Sequence, residues 1–133
     1  MAINFEKALG VHESALTVRA KRAEVLANNL ANAETPGFRA QDIDFRKAMD
    51  NALNGNKGGL LRTHEKHFDS GASSFGPGAL QYRTPEQPDT GNGNSVDSQK
   101  EQARFAENAL QYQATLTFLG SRFKGLTKAI RGE

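Results

Sequence analysis

The feature that most constrains the fold of this chain is an unbroken spacing of apolar residues near its C-terminus. Steps of four and three residues alternate there, which is the spacing of the a and d positions of a coiled-coil heptad. Because such a stripe is stable only against another helix, the pattern predicts a long C-terminal helix whose stripe carries assembly. We call this stripe the seam, and its residues are Phe105, Ala109, Tyr112, Leu116, Leu119, Phe123, Leu126 and Ile130.

Two signals mark the start of this helix. Ser98 and Glu101 have the spacing of a capping box, in which the hydroxyl and the carboxylate each accept a backbone N–H. Asp97 is the alternative cap. The last turns carry basic residues, which offset the negative end of the helix dipole. These residues are Arg122, Lys124, Lys128 and Arg131.

A second long helix is predicted near the N-terminus, from about residue 4 to residue 33. At about 1.5 Å per residue it reaches roughly 45 Å. Val11, Val18 and Val25 form another stripe on roughly the opposite side, so the helix has two packing faces. We expect that a chain this small can hardly cover both packing faces of this helix. The main stripe contains Phe5, Leu9, His12, Leu16, Arg19, Ala23, Leu26, Leu30 and Ala33.

His12 and Arg19 interrupt this main stripe with polar groups. One interpretation is a seam that is broken and partly solvated at these positions. The other is that polar groups in a seam fix its register and the choice of partner, at some loss of stability. The spacing alone leaves both interpretations open.

The middle of the chain differs from both ends. Asp44 can cap a short helix that Asn54-Gly55 closes, and turn-forming residues dominate from Gly55 to Ser95. We predict a mainly α fold in which the two long helices form a coiled-coil-like pair. The chain should form one structural unit with four segments. Residues 1–35 form the N-terminal helix and residues 36–54 form a turn and a short helix. Residues 55–96 form a flexible, irregular or partly β loop, and residues 97–133 form the C-terminal helix.

The composition excludes several classes of function. The net charge of +2 is too small to indicate nucleic acid as the main partner, and the absence of cysteine excludes disulfides and thiolate chemistry. His64, Glu65 and His67 could be metal ligands by spacing, but no third ligand cluster accompanies them. No nucleophile stands beside a plausible base. We therefore predict no enzyme, no cofactor and no catalytic, cofactor-binding or metal site. The N-terminus also lacks the apolar run of a cleaved secretory signal.

Residues 26–38 read LANNLANAETPGF and place three asparagines before a turn. Asparagine competes for nearby backbone groups, so a cluster of its amides in a helix requires partners. We expect these amides to pair across a subunit boundary. Pro36 should end the helix at Thr35, and Gly37 suits a type II turn at the position where φ is positive.

These residues resemble a signature near the N-terminus of the bacterial flagellar basal-body rod and hook proteins. The signature and turn comprise Asn29, Leu30, Ala31, Asn32, Thr35, Pro36, Gly37 and Phe38. The segments THEKHF, QYRTPEQ and GNSVD, together with the ending of the chain, are most similar to the proximal rod proteins of this family. This likeness covers nearly the whole chain.

The resemblance implies a structural subunit of an axial tube whose terminal helices form the inner layer. It implies self-association and contact with rod subunits of the FlgC, FlgF and FlgG classes, with FliE and with the membrane-ring base of the rod. It also implies type III export to the periplasmic rod without a cleaved signal, no nucleic-acid binding and no direct membrane insertion. The alternative function is a soluble helical adaptor or chaperone-like binding module.

Overall fold

The computed structural model describes residue 9 and residues 11–53, 79–85 and 91–132. The elements in chain order are α1 (Val11–Ala31), β1 (Gln41–Ile43), α2 (Phe45–Leu53), β2 (Leu80–Tyr82) and α3 (Ser98–Arg131). The prediction of a mainly α fold with long terminal helices is confirmed. The predictions for Phe5, for the Asn54-Gly55 helix end, for His64, Glu65 and His67, and for most of the central loop lie outside the described residues.

Helices α1 and α3 form an antiparallel pair. Asn29, near the end of α1, lies against Glu101 in the first turn of α3, and Arg19, near the middle of α1, lies against Asn108. At about 1.5 Å per residue, α3 is roughly 50 Å long and α1 roughly 30 Å. The longer helix therefore extends well beyond the length of α1.

A small core fills the space beside α1. Val18, Ile43, Ala48 and Ala79 are buried together, and the partly buried residues Val25, Phe45 and Met49 pack against them. The expectation that the chain can hardly cover both faces of α1 is wrong at this point. The short elements β1 and α2 cover the valine face at Val18, although Val11 stays 47% exposed.

The sheet has two antiparallel strands. Gln41 pairs with Tyr82 and Ile43 pairs with Leu80, so β2 finds its partner before α2 and not within the central loop. The Arg83 N–H donates to the Ala40 carbonyl at 2.8 Å, and the Asp44 N–H donates to the Ala79 carbonyl at 2.8 Å. These bonds carry the pairing past both ends of the strands and close the core from one side.

The ends of the long helices decide between two predicted caps and correct one predicted boundary. The alternative cap of α3, Asp97, is confirmed, because its carboxylate accepts from the backbone N–H groups of Gln99 and Lys100. The capping box with Ser98 is therefore wrong, since the Glu101 carboxylate is used elsewhere. Helix α1 ends at Ala31, four residues before Thr35. Hydrogen-bonded turns continue from there to Gly37.

Candidate assembly interface

The buried residues of α3 are polar. These residues, Glu101, Asn108 and Thr115, follow one another at seven-residue intervals and so form one stripe along the helix. The Asn108 Nδ2 donates to the Arg19 carbonyl at 2.9 Å, and the Thr115 hydroxyl donates to the Gln111 carbonyl of its own helix at 2.8 Å. Contact within the chain therefore uses a stripe that the apolar spacing does not reveal.

The predicted seam lies beside this polar stripe and is largely uncovered. Ala109 and Leu116 each follow a buried polar residue by one position, which rotates them by about 100° around the helix. Leu116 is 39% exposed, Phe123 is 46% exposed and Ile130 is 86% exposed. Tyr112 and Leu119, on the edge nearest α1, are half-buried. The strongest apolar pattern of the sequence is thus left available to another protein.

A network of charged side chains ties the start of α3 to α1 and the sheet. Asp42 accepts from Arg22 Nε at 2.9 Å and from Arg83 Nη2 at 2.9 Å. The Arg83 Nη1 also donates to the Glu101 carboxylate, and Arg104 donates to the same carboxylate oxygen at 3.3 Å. Glu101 is 1% exposed, so these two guanidinium groups are the charged partners of a buried side chain. The network fixes where α3 begins relative to β1 and β2.

The ionic contacts shift the pKa values of two members of the network. Burial alone would raise the pKa of Asp42, but the hydrogen bonds and positive charge of Arg22, with further bonds from Ile43 N–H and Arg83, lower it below its usual value of 3.8. The hydrogen bond to Asp42 raises the pKa of Arg22. Both groups are therefore held in their charged forms in the folded chain.

Asn29 finds its partners inside the chain. Its Nδ2 donates to the Gln41 carbonyl at 2.7 Å and to the Glu101 carboxylate at 3.0 Å, and its Oδ1 accepts from the Gln41 N–H at 3.0 Å. The side chain is fully buried. The expectation that it pairs across a subunit boundary is wrong for Asn29, because the first residue of β1 and the carboxylate of α3 use all of these groups.

The other two asparagines of the cluster lie nearer the surface. Asn32 Nδ2 donates to the backbone carbonyl of Asn28 at 2.8 Å and to the Asn28 side-chain oxygen at 3.1 Å. These bonds leave Asn28 exposed and Asn32 half-buried. A contact of either residue with a neighbouring subunit stays a prediction.

The turn after α1 has the predicted geometry. The Phe38 N–H donates to the Thr35 carbonyl at 3.3 Å, which closes the four-residue turn through Pro36 and Gly37. Gly37 has a φ of 72°, the positive value that a type II turn requires at its third position. The Pro-Gly pair therefore forms the turn that its local conformational preferences indicate.

Asn94, which the sequence reasoning missed, holds this turn from a segment 59–62 residues further along the chain. Its buried Nδ2 lies within hydrogen-bond distance of three carbonyl oxygens, those of Asn32 at 3.0 Å, Ala33 at 2.8 Å and Thr35 at 2.8 Å. Its Oδ1 accepts from the Val96 N–H at 2.8 Å. The only local signal was the Gly-Asn-Gly-Asn run before α3, which indicates a turn but not its target.

The backbones of the two loops also meet directly. The Gly37 N–H donates to the Asn92 carbonyl at 2.8 Å, and the Ser95 N–H donates to the Phe38 carbonyl at 3.0 Å. A Cβ added at Gly93 would lie 3.5 Å from the Gly37 Cα. The signature turn therefore forms one hydrogen-bonded unit with the segment that leads into α3.

Comparison with known proteins matches this unit and the rest of the chain. The family model described as "Flagella basal body rod protein" matches residues 9–39, which include the asparagines and the turn. The chain is 53% identical over 133 residues to the flagellar basal body rod protein FlgB of Aeromonas hydrophila, covering 100% of this chain and 99% of the relative. The chain belongs to the FlgB family of flagellar basal body rod proteins.

Two further FlgB relatives are matched over almost their whole length. The protein of Salmonella typhimurium is 40% identical, covering 99% of each chain, and that of Cereibacter sphaeroides is 45% identical, covering 97% of this chain and 98% of the relative. The resemblance of the signature to the flagellar basal-body rod proteins is thereby confirmed.

The two polar groups in the main stripe of α1 occupy defined positions in this FlgB-family chain. The Arg19 guanidinium donates to the Gln111 side chain and lies 4.3 Å from the centre of the Phe45 ring. Burial and the nearby Arg22 lower the pKa of Arg19. The His12 ring centre is 6.3 Å from that of Phe118. These contacts favour the interpretation in which polar groups fix the register of α1 on α3.

The described residues hold no group of three or more His, Cys, Asp or Glu side chains that could bind a metal ion. Among the helices of the described ranges, none combines the length and apolarity needed to cross a membrane.

Proposed function

We propose that this chain is a structural subunit of the bacterial flagellar basal-body rod, and that it joins its neighbours through the seam of α3. The observation that carries the proposal is the exposure of Leu116, Phe123 and Ile130 on a helix whose buried residues are polar. Membership of the FlgB family supplies the assembly in which such a helix would be used.

The arrangement of the two stripes suits an open helical assembly. The seam and the polar stripe are adjacent on α3, so the helix can contact α1 of its own chain and a neighbouring helix at the same time. A contact between different surfaces of successive subunits does not have to close into a ring and can generate a rod. Burial of each large apolar seam residue would contribute about 1–2 kcal/mol.

The proposed partners are the other rod subunits of the FlgC, FlgF and FlgG classes, FliE and the membrane-ring base of the rod, together with further copies of this chain. The proposed location is the periplasmic part of the basal body, reached by type III export without a cleaved signal. The role is structural and not catalytic. A soluble helical adaptor is the less favoured alternative, since the similarity to basal body rod proteins extends over the whole chain.

The test is a seam variant that leaves the free chain intact. Phe123→Asp places a charge on a side chain that is already 46% exposed, so the helicity of the isolated protein should change little. In the assembled rod the same charge would be buried without a partner, at a cost of several kcal/mol. We expect cells carrying this variant to lack complete rods and motility, as measured by electron microscopy of isolated basal bodies and by swimming assays.

Ala114→Asp is the matched control, because Ala114 is exposed on the same helix and lies roughly opposite the seam. Export of both variants is first checked by their recovery in the periplasmic fraction. Normal rods with Phe123→Asp, or equal loss of rods with both variants, would rule out the seam as the assembly surface.

A further inference from the structure

One side of α3 next to the seam carries a row of basic residues. Lys124, Lys128 and Arg131 are spaced four and three residues apart and therefore share one face, which we call the basic flank. At 100° per residue this face borders the seam on the side away from α1. All three side chains are exposed, and no ion pair in the described part of the chain includes them.

The charged side chains in the second half of α3 are all positive. From Asn108 to Gly132 the sequence contains four basic residues, the fourth being Arg122, and no acidic residue. The negative end of the helix dipole accounts for Lys128 and Arg131, which lie in the last turn. The expectation that Lys124 also offsets the dipole is wrong, because the dipole acts mainly within the last turn and Lys124 lies about two turns before the helix end. The flank is therefore suited to a negatively charged partner.

Gly120 lies between the seam and the basic flank. Glycine in a helix interior is unfavourable relative to alanine, and a Cβ built at Gly120 would meet nothing within 4 Å among the described residues. Packing within this part of the chain therefore does not account for the missing side chain. A glycine at such a position allows the backbone of another helix to approach closely.

Two polar side chains near Gly120, those of Thr117 and Thr127, can be buried without losing hydrogen bonds. The Thr117 hydroxyl donates to the Gln113 carbonyl at 3.0 Å, and the Thr127 hydroxyl donates to the Phe123 carbonyl at 2.9 Å. Because both O–H donors are satisfied within α3, covering this face leaves neither of them unpaired.

We infer that the face around Gly120, between the seam and the basic flank, receives an acidic amphipathic helix of a neighbouring rod protein. The inference rests on the proposed function and adds the chemistry of the partner. The charge of the flank selects acidic side chains, and the seam selects apolar ones. Gly120 favours a helix over an anionic lipid surface, because only a second backbone makes use of the missing side chain.

The test uses the full chain and two designed peptides. Both peptides are amphipathic helices with leucine at the a and d positions, and they carry either glutamate or lysine at the flanking positions. We expect the glutamate peptide to bind more tightly by fluorescence anisotropy, with an affinity that falls as salt is added. Removing three exposed charges with Lys124→Gln, Lys128→Gln and Arg131→Gln should weaken this binding by about tenfold.

Two further variants separate docking from general charge and stability. The matched control, Lys21→Gln with Lys47→Gln and Lys100→Gln, removes the same charge from exposed lysines that pair with acidic residues elsewhere, and its binding should stay near that of the unchanged chain. Gly120→Ala should raise the midpoint of thermal unfolding while it weakens peptide binding, a combination that a purely structural role would not produce.

Equal binding of the two peptides, or undiminished binding by Gly120→Ala, would overturn the inference. Tighter binding to phosphatidylglycerol vesicles than to the glutamate peptide would overturn it in favour of a membrane contact. In cells, the flank variant could assemble normal rods while Phe123→Asp does not. That result would contradict this inference but leave the proposed function intact. Normal rods with Phe123→Asp would remove the proposed function itself.

Discussion

The clamp formed by Asn94 offers the most specific test of how this fold is held together. Replacing Asn94 with aspartate keeps the size of the side chain and the oxygen that accepts from the Val96 N–H. It removes both N–H donors and sets a carboxylate beside the carbonyl oxygens of Asn32, Ala33 and Thr35, which lie 2.8–3.0 Å from Nδ2 in the native chain. Attraction at these three contacts is thus converted into repulsion.

The expected loss in the free energy of unfolding for Asn94→Asp follows from the number of hydrogen-bonding groups that lose a partner. Two N–H donors serve the three carbonyl oxygens, and each net hydrogen bond contributes about 0.5–1.5 kcal/mol. Loss of both therefore lowers the free energy of unfolding by about 1–3 kcal/mol, and the buried negative charge adds to this loss. Asn94→Ala removes the two donors and also the oxygen that accepts from the Val96 N–H, so it should cost a similar amount without repulsion.

Urea unfolding followed by circular dichroism at 222 nm measures these differences. Asn92→Asp is the matched control, because Asn92 is exposed and its side-chain oxygen, which accepts from the Asn94 N–H at 3.0 Å, is kept in aspartate. It should change the free energy of unfolding by about 0.5 kcal/mol or less. If Asn94→Asp is as stable as Asn92→Asp, the clamp does not hold the turn and the reasoning fails.

Two other predictions concern the polar contacts of α1 and α3. Asn108→Leu should raise the free energy of unfolding by about 1 kcal/mol in urea titrations. The buried Asn108 Oδ1 has no hydrogen-bond partner within the described residues, so the substitution loses only the bond to the Arg19 carbonyl. A clear loss of stability would contradict this prediction. The ionised Asp42, with its lowered pKa, adds stability above its usual pKa of 3.8, and that stability disappears as the pH falls through the lower folded value. The unfolding free energy of the unchanged chain should therefore decline more steeply below pH 3.8 than that of Asp42→Asn, and parallel declines would exclude this contribution.

Local signals in the sequence were sufficient to predict the helices and the turn. The alternating steps of the seam predicted a long C-terminal helix, and α3 runs from Ser98 to Arg131. Pro36 and Gly37 predicted the turn at the positions where it occurs, because proline restricts the residue before it and glycine tolerates positive φ. These outcomes depend on conformational preferences within a few residues.

Local signals did not predict which residues distant in the chain would pair with each other. Glu101 has the spacing of a capping box with Ser98, yet its carboxylate is taken by Asn29, Arg83 and Arg104, of which the first is 72 residues away in the chain. The turn-forming residues from Gly55 to Ser95 indicated an irregular or partly β loop, but not that Leu80 to Tyr82 would pair with β1. Ionic and strand pairings depend on which segments the fold brings together, and a single sequence does not record that.

The sequence by itself thus determined the helices, the turn and the existence of an apolar stripe on α3. Only the tertiary structure decided that α1 would cover the neighbouring stripe of Glu101, Asn108 and Thr115 and leave the seam exposed. The physical reason is that periodicity shows which residues share a face of a helix, whereas the face that is buried depends on the network of hydrogen bonds and charges that positions one helix against another.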